Sequence, residues 1–132
     1  MSWTVAEIRE LREGGYLVVD DEPCKILSIQ MSKPGKHGEA KARMDVVGLF
    51  DGRKRSIVHP VTHKVQVPMI DKRKGQIISV TEDHAQVMDS ETYAMSELIL
   101  DDEWKGKVKP GQDCLLMVVL GKVKLMQVTG GD

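Results

Sequence analysis

The sequence predicts an all-β protein made of two small closed or nearly closed barrels. Short apolar runs, mostly rich in β-branched residues, recur along the chain and are divided by Gly, Pro and Asp turn signals. Near the middle, Pro68 and the polar run Asp71-Lys72-Arg73-Lys74-Gly75 interrupt the series, which sets off residues 1–70 from residues 71–132. The 132 residues suffice for two small domains, and 41% hydrophobic with 30% charged residues fits a folded chain rather than a disordered one. Halves this small cannot leave long sheet edges unpaired, so each sheet is expected to curl closed.

The elements follow in order. Thr4-Val5-Ala6-Glu7 has the spacing of a capping box and predicts a short helical turn with Ile8 and Leu11 on one face. After Gly14-Gly15, residues 16–20 and 24–30 read as strands parted by Asp21-Glu22-Pro23. Residues 40–50, 55–59 and 64–67 continue the first half, divided by Asp51-Gly52 and Pro60-Val61-Thr62. Asp51-Gly52 is a two-residue hairpin signal, because both positions tolerate left-handed backbone. Asp71 to Gly75 reads as a polar hinge. Residues 76–81, 85–89, 92–98, 114–120 and 122–129 then read as strands, and Asp101-Asp102-Glu103-Trp104 as a brief helical turn before Pro110-Gly111. The chain shows no repeat and no low-complexity tract.

Charge excludes little by its sum and more by its distribution. The net charge is −1, but residues 1–70 carry 11 Lys/Arg against 9 Asp/Glu, and residues 71–132 carry 8 against 11. Between Gln30 and Arg55, seven basic residues (Lys33, Lys36, Lys41, Arg43, Arg53, Lys54, Arg55) face three acidic ones, a modest positive region suited to phosphates or, equally, to plain solvation. Aromatics are only 4%, which argues against a general single-strand binder that stacks bases on exposed rings. Cys24 and Cys114 lie far apart with no Cys-x-x-Cys and read as two buried thiols. With no signal peptide, transit peptide or membrane-length apolar run, the expected location is cytoplasmic, with no membrane partner.

The most informative stretch is Ser32-Lys33-Pro34-Gly35-Lys36-His37-Gly38. Pro34 fixes its own φ and biases Lys33 toward extended backbone. Gly35 and Gly38 permit positive φ and carry no side chain to cover a neighbour. Together they predict a tight exposed turn with Lys36 at its tip. An exposed lysine amine is charged and a poor nucleophile without desolvation, so Lys36 reads as a contact point or a modification target rather than a catalytic amine. His37 has two readings, a loop-holding or partly cationic group and a plain solvated histidine.

Followed by Glu39-Ala40-Lys41-Ala42-Arg43, this loop closely resembles the hypusine loop of the translation initiation factor 5A family, in its archaeal form. The resemblance extends over Gly14-Gly15-Tyr16, Pro23-Cys24-Lys25-Ile26, Val65-Gln66-Val67-Pro68 and Gln86-Val87-Met88-Asp89. It implies an SH3-like barrel in residues 1–70 that carries the loop, then an OB-fold in residues 71–132. It implies a spermidine-derived aminobutyl group placed covalently on Lys36 by deoxyhypusine synthase, giving deoxyhypusine or hypusine, and no other cofactor. It implies a ribosome-associated factor that works beside the peptidyl-tRNA and promotes peptide-bond formation, above all at stalling sequences. Lys33, Lys41 and Arg43 are candidate RNA-backbone contacts. Pro34 stands where the eukaryotic pattern has threonine, which leaves the final hydroxylation open.

Other constellations carry less. His59-Pro60-Val61-Thr62-His63 superficially resembles a metal pair, but Pro60 breaks the helix that would align the two rings and no further ligands lie at zinc spacing. Gly35-Lys36 is no phosphate-binding loop, since Gln30 and His37 stand where it needs Gly and Ser/Thr. No nucleophile–histidine grouping stands out, so neither catalytic residues nor metal ligands are expected and the chain reads as no enzyme. The alternative function from another class is a free-standing RNA-binding or RNA-chaperone module. A nuclease would need converging carboxylates that the sequence does not show.

Overall fold

The computed structural model describes residues 3–32, 38 and 40–129. The chain divides into two compact units, Met1–Met69 and Ile70–Asp132. In the first, β1 (Trp3–Glu7) runs into a 3₁₀ turn (Ile8–Glu10), followed by β2 (Tyr16–Val19), β3 (Glu22–Met31), β4 (Lys41–Gly48), β5 (Lys54–Pro60) and β6 (Lys64–Pro68). Strands β2-β3-β4-β5 form an antiparallel meander, β1 pairs with β6, and β2 packs beside β6 so that the sheets curl around one core. Alternation along β4 shows why: Ala42, Met44, Val46 and Gly48 are buried, and Lys41, Arg43, Asp45 and Val47 take the opposite face. The buried set joins Ile8, Leu11, Leu17, Cys24 and Ile26 in the core. This unit is the SH3-like barrel.

The second unit contains β7 (Ile70–Val80), β8 (His84–Asp89), β9 (Met95–Ile99), β10 (Asp113–Val119) and β11 (Lys122–Thr129). They form one antiparallel sheet in the order β11-β10-β7-β8-β9, and its outer strands β11 and β9 approach each other as it curls. Register slips at Ile77/Ser79 and Leu115/Leu116 supply bulges, which increase local twist and help closure. Ile77, Val87, Leu98, Leu100, Cys114, Leu116 and Leu125 fill this OB-fold's core, with Trp104 packed against it.

Several elements differ from the sequence expectation. Thr4 to Glu7 lies in a strand, because pairing Thr4 with Val67 and Ala6 with Val65 satisfies the backbone better than an isolated helical turn could. The capping interaction sits three residues later, where the Glu7 N–H donates to Glu10 Oε2 at 2.7 Å. Ile8 and Leu11 are buried as expected.

The polar run Asp71 to Gly75 is no hinge but the first half of β7. It pairs with β10 from Asp71↔Val118 to Gly75↔Cys114, and Arg73 forks onto Asp89 with Nε–Oδ2 at 2.8 Å and Nη2–Oδ1 at 3.2 Å. Ladder hydrogen bonds and this ion pair outweigh the run's polarity. The Asp51-Gly52 hairpin has a longer loop than two residues. Glu22, itself buried, accepts from the Phe50 and Asp51 N–H groups at 2.9 and 2.8 Å and opens the turn to residues 49–53, with Gly52 at φ +68.

The expected strand at residues 92–98 starts only at Met95, since Tyr93 takes φ +62 and its N–H closes a turn onto the Asp89 carbonyl. The first turn of the meander uses Asp20 and Asp21, both at positive φ (+50 and +66), as a two-residue hairpin, so Glu22 and Pro23 belong to β3. Asp101 to Trp104, by contrast, forms the expected brief helical turn, with the Trp104 and Lys105 N–H groups donating to the Asp101 carbonyl at 3.0 and 3.1 Å.

Candidate functional site

The candidate site is the end of the SH3-like barrel where β3 hands over to β4. Lys33, Pro34, Gly35, Lys36 and His37, with Glu39, lie outside the described residues. Ser32, Gly38, Ala40, Lys41 and Arg43 are described and define the loop's base. The Ser32 N–H donates to the Lys41 carbonyl at 2.8 Å, and the Lys41 N–H donates back to Ser32 Oγ at 3.2 Å. One residue further out, Ala40 O accepts from the Val61 N–H at 3.0 Å. Gly38 is exposed, outside the left-handed region, and a Cβ built there would meet nothing within 4 Å. Its backbone therefore does not require glycine; what glycine provides at this position is an uncovered surface.

From this base an outward face runs down the meander. Lys41 and Arg43 lie on β4 with exposed side chains, and register places Gln30 and Val58 on either side of Arg43. The next row is Ser28–Asp45–Ser56. Both hydroxyls donate to the Asp45 carboxylate, and with Arg43 nearby they hold it below the usual carboxylate range. The last row is Lys25–Val47–Lys54. Lys25 and Lys54 thus share a face with Lys41 and Arg43, whereas Arg55 takes the alternate side of β5 and binds Asp51 through Nη2–Oδ2 at 2.6 Å. Of the seven cations read from the sequence, Lys41, Arg43 and Lys54 lie on this face, where Lys25 joins them and Asp45 interrupts the positive charge.

On the other side of the loop base, the His59 and His63 rings stack at 4.2 Å with 9° between planes. The pair borders a cleft of about 340 Å³ lined also by Leu17, Val19, Asp20, Asp21 and Lys64. Burial first, then the charge of His63, lowers the pKa of His59. Pro60 excludes the helix that would align the two rings. A strand-to-strand turn brings them together instead, and the i, i+4 spacing flanking a Pro-containing turn was the available signal. Among the described residues no group of three or more His, Cys, Asp or Glu side chains could hold a metal. Cys24 and Cys114 are both buried and free, one in each core, and burial raises both thiols, Cys114 to about 11. No helix among the described residues is long and apolar enough to cross a membrane.

Comparison with known proteins agrees with this geometry. Residues 3–63 match the family model described as Translation initiation factor 5A-like, N-terminal. The translation initiation factor 5A of Archaeoglobus fulgidus is 56% identical, over 90% of this chain and 93% of its own. That of Thermoplasma acidophilum is 51% identical over 96% and 98%. A solved structure titled eukaryotic translation initiation factor 5A from Methanococcus jannaschii superposes with a TM-score of 0.87 at 38% identity, covering 97% of this chain and 96% of that one. Similar along nearly its whole length in sequence and in fold to proteins named as translation factors, the chain belongs to the translation initiation factor 5A family.

Proposed function

We propose that this protein is a non-enzymatic, cytoplasmic translation factor that binds the ribosome beside the peptidyl-tRNA and presents an extended Lys36 side chain there. The observation that carries the reading is the sequence Ser32-Lys33-Pro34-Gly35-Lys36-His37-Gly38, which falls in the chain between β3 and β4, whose ends form a hydrogen-bonded base next to a positive sheet face. Deoxyhypusine synthase is the modifying partner, and spermidine supplies the aminobutyl group. In that transfer the bond from the aminobutyl carbon to the diaminopropane nitrogen breaks, a bond to Lys36 Nζ forms, and the Nζ proton leaves with diaminopropane. The product carries two amines where lysine has one. It can reach a phosphate-lined cleft that the fold itself cannot enter.

Peptide-bond formation is then promoted by position and charge. Aligning the acceptor end of the peptidyl-tRNA lowers the entropic part of the barrier, and no catalytic group is donated. The gain is largest where the nascent chain aligns poorly, as at consecutive prolines. Lys41 and Arg43 supply backbone contacts that orient the barrel. The test is Lys36→Arg, which keeps one charge but cannot take the aminobutyl group. It is expected to fold normally and to lose stimulation of stalled translation; full stimulation in that variant would contradict the reading. The positive face supports a second reading, a plain RNA-binding module. That reading requires binding that falls steeply with salt and is unchanged in Lys36→Arg.

A further inference from the structure

We propose that the turn at residues 60–63, fastened by the stacked rings of His59 and His63, is a positioning brace that fixes the C-terminal stem of the loop. Pro60 has no N–H, so this turn closes through a single internal bond, from the His63 N–H to the Pro60 carbonyl at 2.9 Å. The ring stack at 4.2 Å joins the end of β5 to the residue preceding β6 and supplies a second fastening.

The turn in turn holds three partners. The Val61 N–H donates to Ala40 O in the loop stem, Val61 O accepts from Arg9, and His63 O accepts from Ile8, each at 3.0 Å. Lys41 pairs with Pro60 and Ala42 with His59, so the loop's C-terminal stem meets the turn along a continuous ladder. Among the described residues Ser32 makes its hydrogen bonds to Lys41, at the end of the β3–β4 ladder whose last pair is Met31↔Ala42. Displacing the turn therefore displaces both stems.

The stack tolerates one charged ring but opposes two, since two imidazolium groups in contact repel. The charged residues lining the same cleft are Lys64, at the start of β6, and Asp20 and Asp21. Acidification should loosen the brace as His59, kept neutral by burial and by its neighbour, takes its proton. The consequence for Lys36 presentation rests on the proposed function, but the brace itself is read at backbone amides of unmodified protein.

The experiment is hydrogen exchange by NMR on the full chain across pH 5 to 7.5, with the imidazole signals followed in the same samples. In the unaltered protein the protection factors of Val61, Ser32 and Lys41 should fall together, by roughly tenfold or more, as His59 titrates. His59→Phe keeps a stacking ring without the charge and should hold protection constant over that range. His59→Ala should lower it at every pH. The proposal is overturned if Ser32 and Lys41 keep full protection in His59→Ala, or if protection in His59→Phe falls at the same midpoint as in the unaltered protein. Should His59→Ala fail to fold, His59→Phe alone decides. Absence of the Lys36 modification would leave this result untouched, and failure of the brace would leave the modification untouched.

Discussion

Ser32 and Lys41 clasp each other at three points: the Ser32 N–H reaches the Lys41 carbonyl at 2.8 Å, Ser32 Oγ donates to the same carbonyl at 3.2 Å, and the Lys41 N–H reaches Ser32 Oγ at 3.2 Å. The last two contacts depend on the Ser32 hydroxyl. Both residues are exposed, so removing the hydroxyl costs the clasp roughly 1 kcal/mol of local stability and the fold far less. Ser32→Ala should therefore lose protection at the Lys41 amide and take the aminobutyl group more slowly from deoxyhypusine synthase, with its thermal midpoint within a few degrees of the unaltered protein, about 4 °C at most. Hydrogen exchange, a modification time course and a melting curve check this. A large drop in the melting curve would place Ser32 in the fold rather than the loop.

Acid should weaken the first barrel through Asp51. The Arg55 guanidinium, and then the Arg53 N–H, hold this carboxyl at about 2, below its ordinary 3.8. Its folded value lies below its unfolded one, so the unfolded chain binds the proton first as pH falls. The stabilising contribution is complete above the ordinary value and is lost as pH falls through about 2. Arg73 gives Asp89 a shift of the same sign in the second barrel. Arg55→Met should lower stability at neutral pH and flatten its decline between pH 4 and pH 2. Urea unfolding at a series of pH values measures both.

Two glycines should respond oppositely to alanine. A Cβ on Gly75 would stand 2.8 Å from the Met88 carbonyl oxygen and 2.9 Å from Leu116 Cδ1, with Cys114 Sγ at 3.4 Å. The carbonyl is tied into the β7–β8 ladder and cannot give way, so Gly75→Ala should cost about 1–3 kcal/mol by overpacking. At Gly38 there is open space, so Gly38→Ala should change stability by less than about 0.5 kcal/mol. If the modifying enzyme needs the uncovered backbone, that variant will nevertheless be modified more slowly. Denaturant unfolding and a modification assay on the two variants separate packing from access.

Strand alternation was legible wherever one face is buried, as in Lys41-Ala42-Arg43-Met44, where period two settles both element and face. It failed where tertiary pairing overrides local chemistry. Asp71 to Gly75 looks like a hinge until β10 and Asp89 are opposite it. Thr4 to Glu7 looks like a helix start until β6 is beside it. Loop lengths failed for a related reason: the Glu22 carboxylate, 28 residues before Phe50, decides how the Asp51-Gly52 turn opens. At the candidate site, Pro34, the glycines and Lys36 marked the stretch of chain between β3 and β4. Its supports were less so: Val61 reaching Ala40 depends on the pairing of β4 with β5, and the His59–His63 stack showed in the sequence only as i, i+4 spacing around Pro60.

The most direct test of the central claim is peptide mass spectrometry of the loop, on protein purified from the organism that makes it. The account predicts an aminobutyl addition on Lys36, with or without one further oxygen. An unmodified Lys36 in every molecule would contradict it and leave the plain RNA-binding reading in its place.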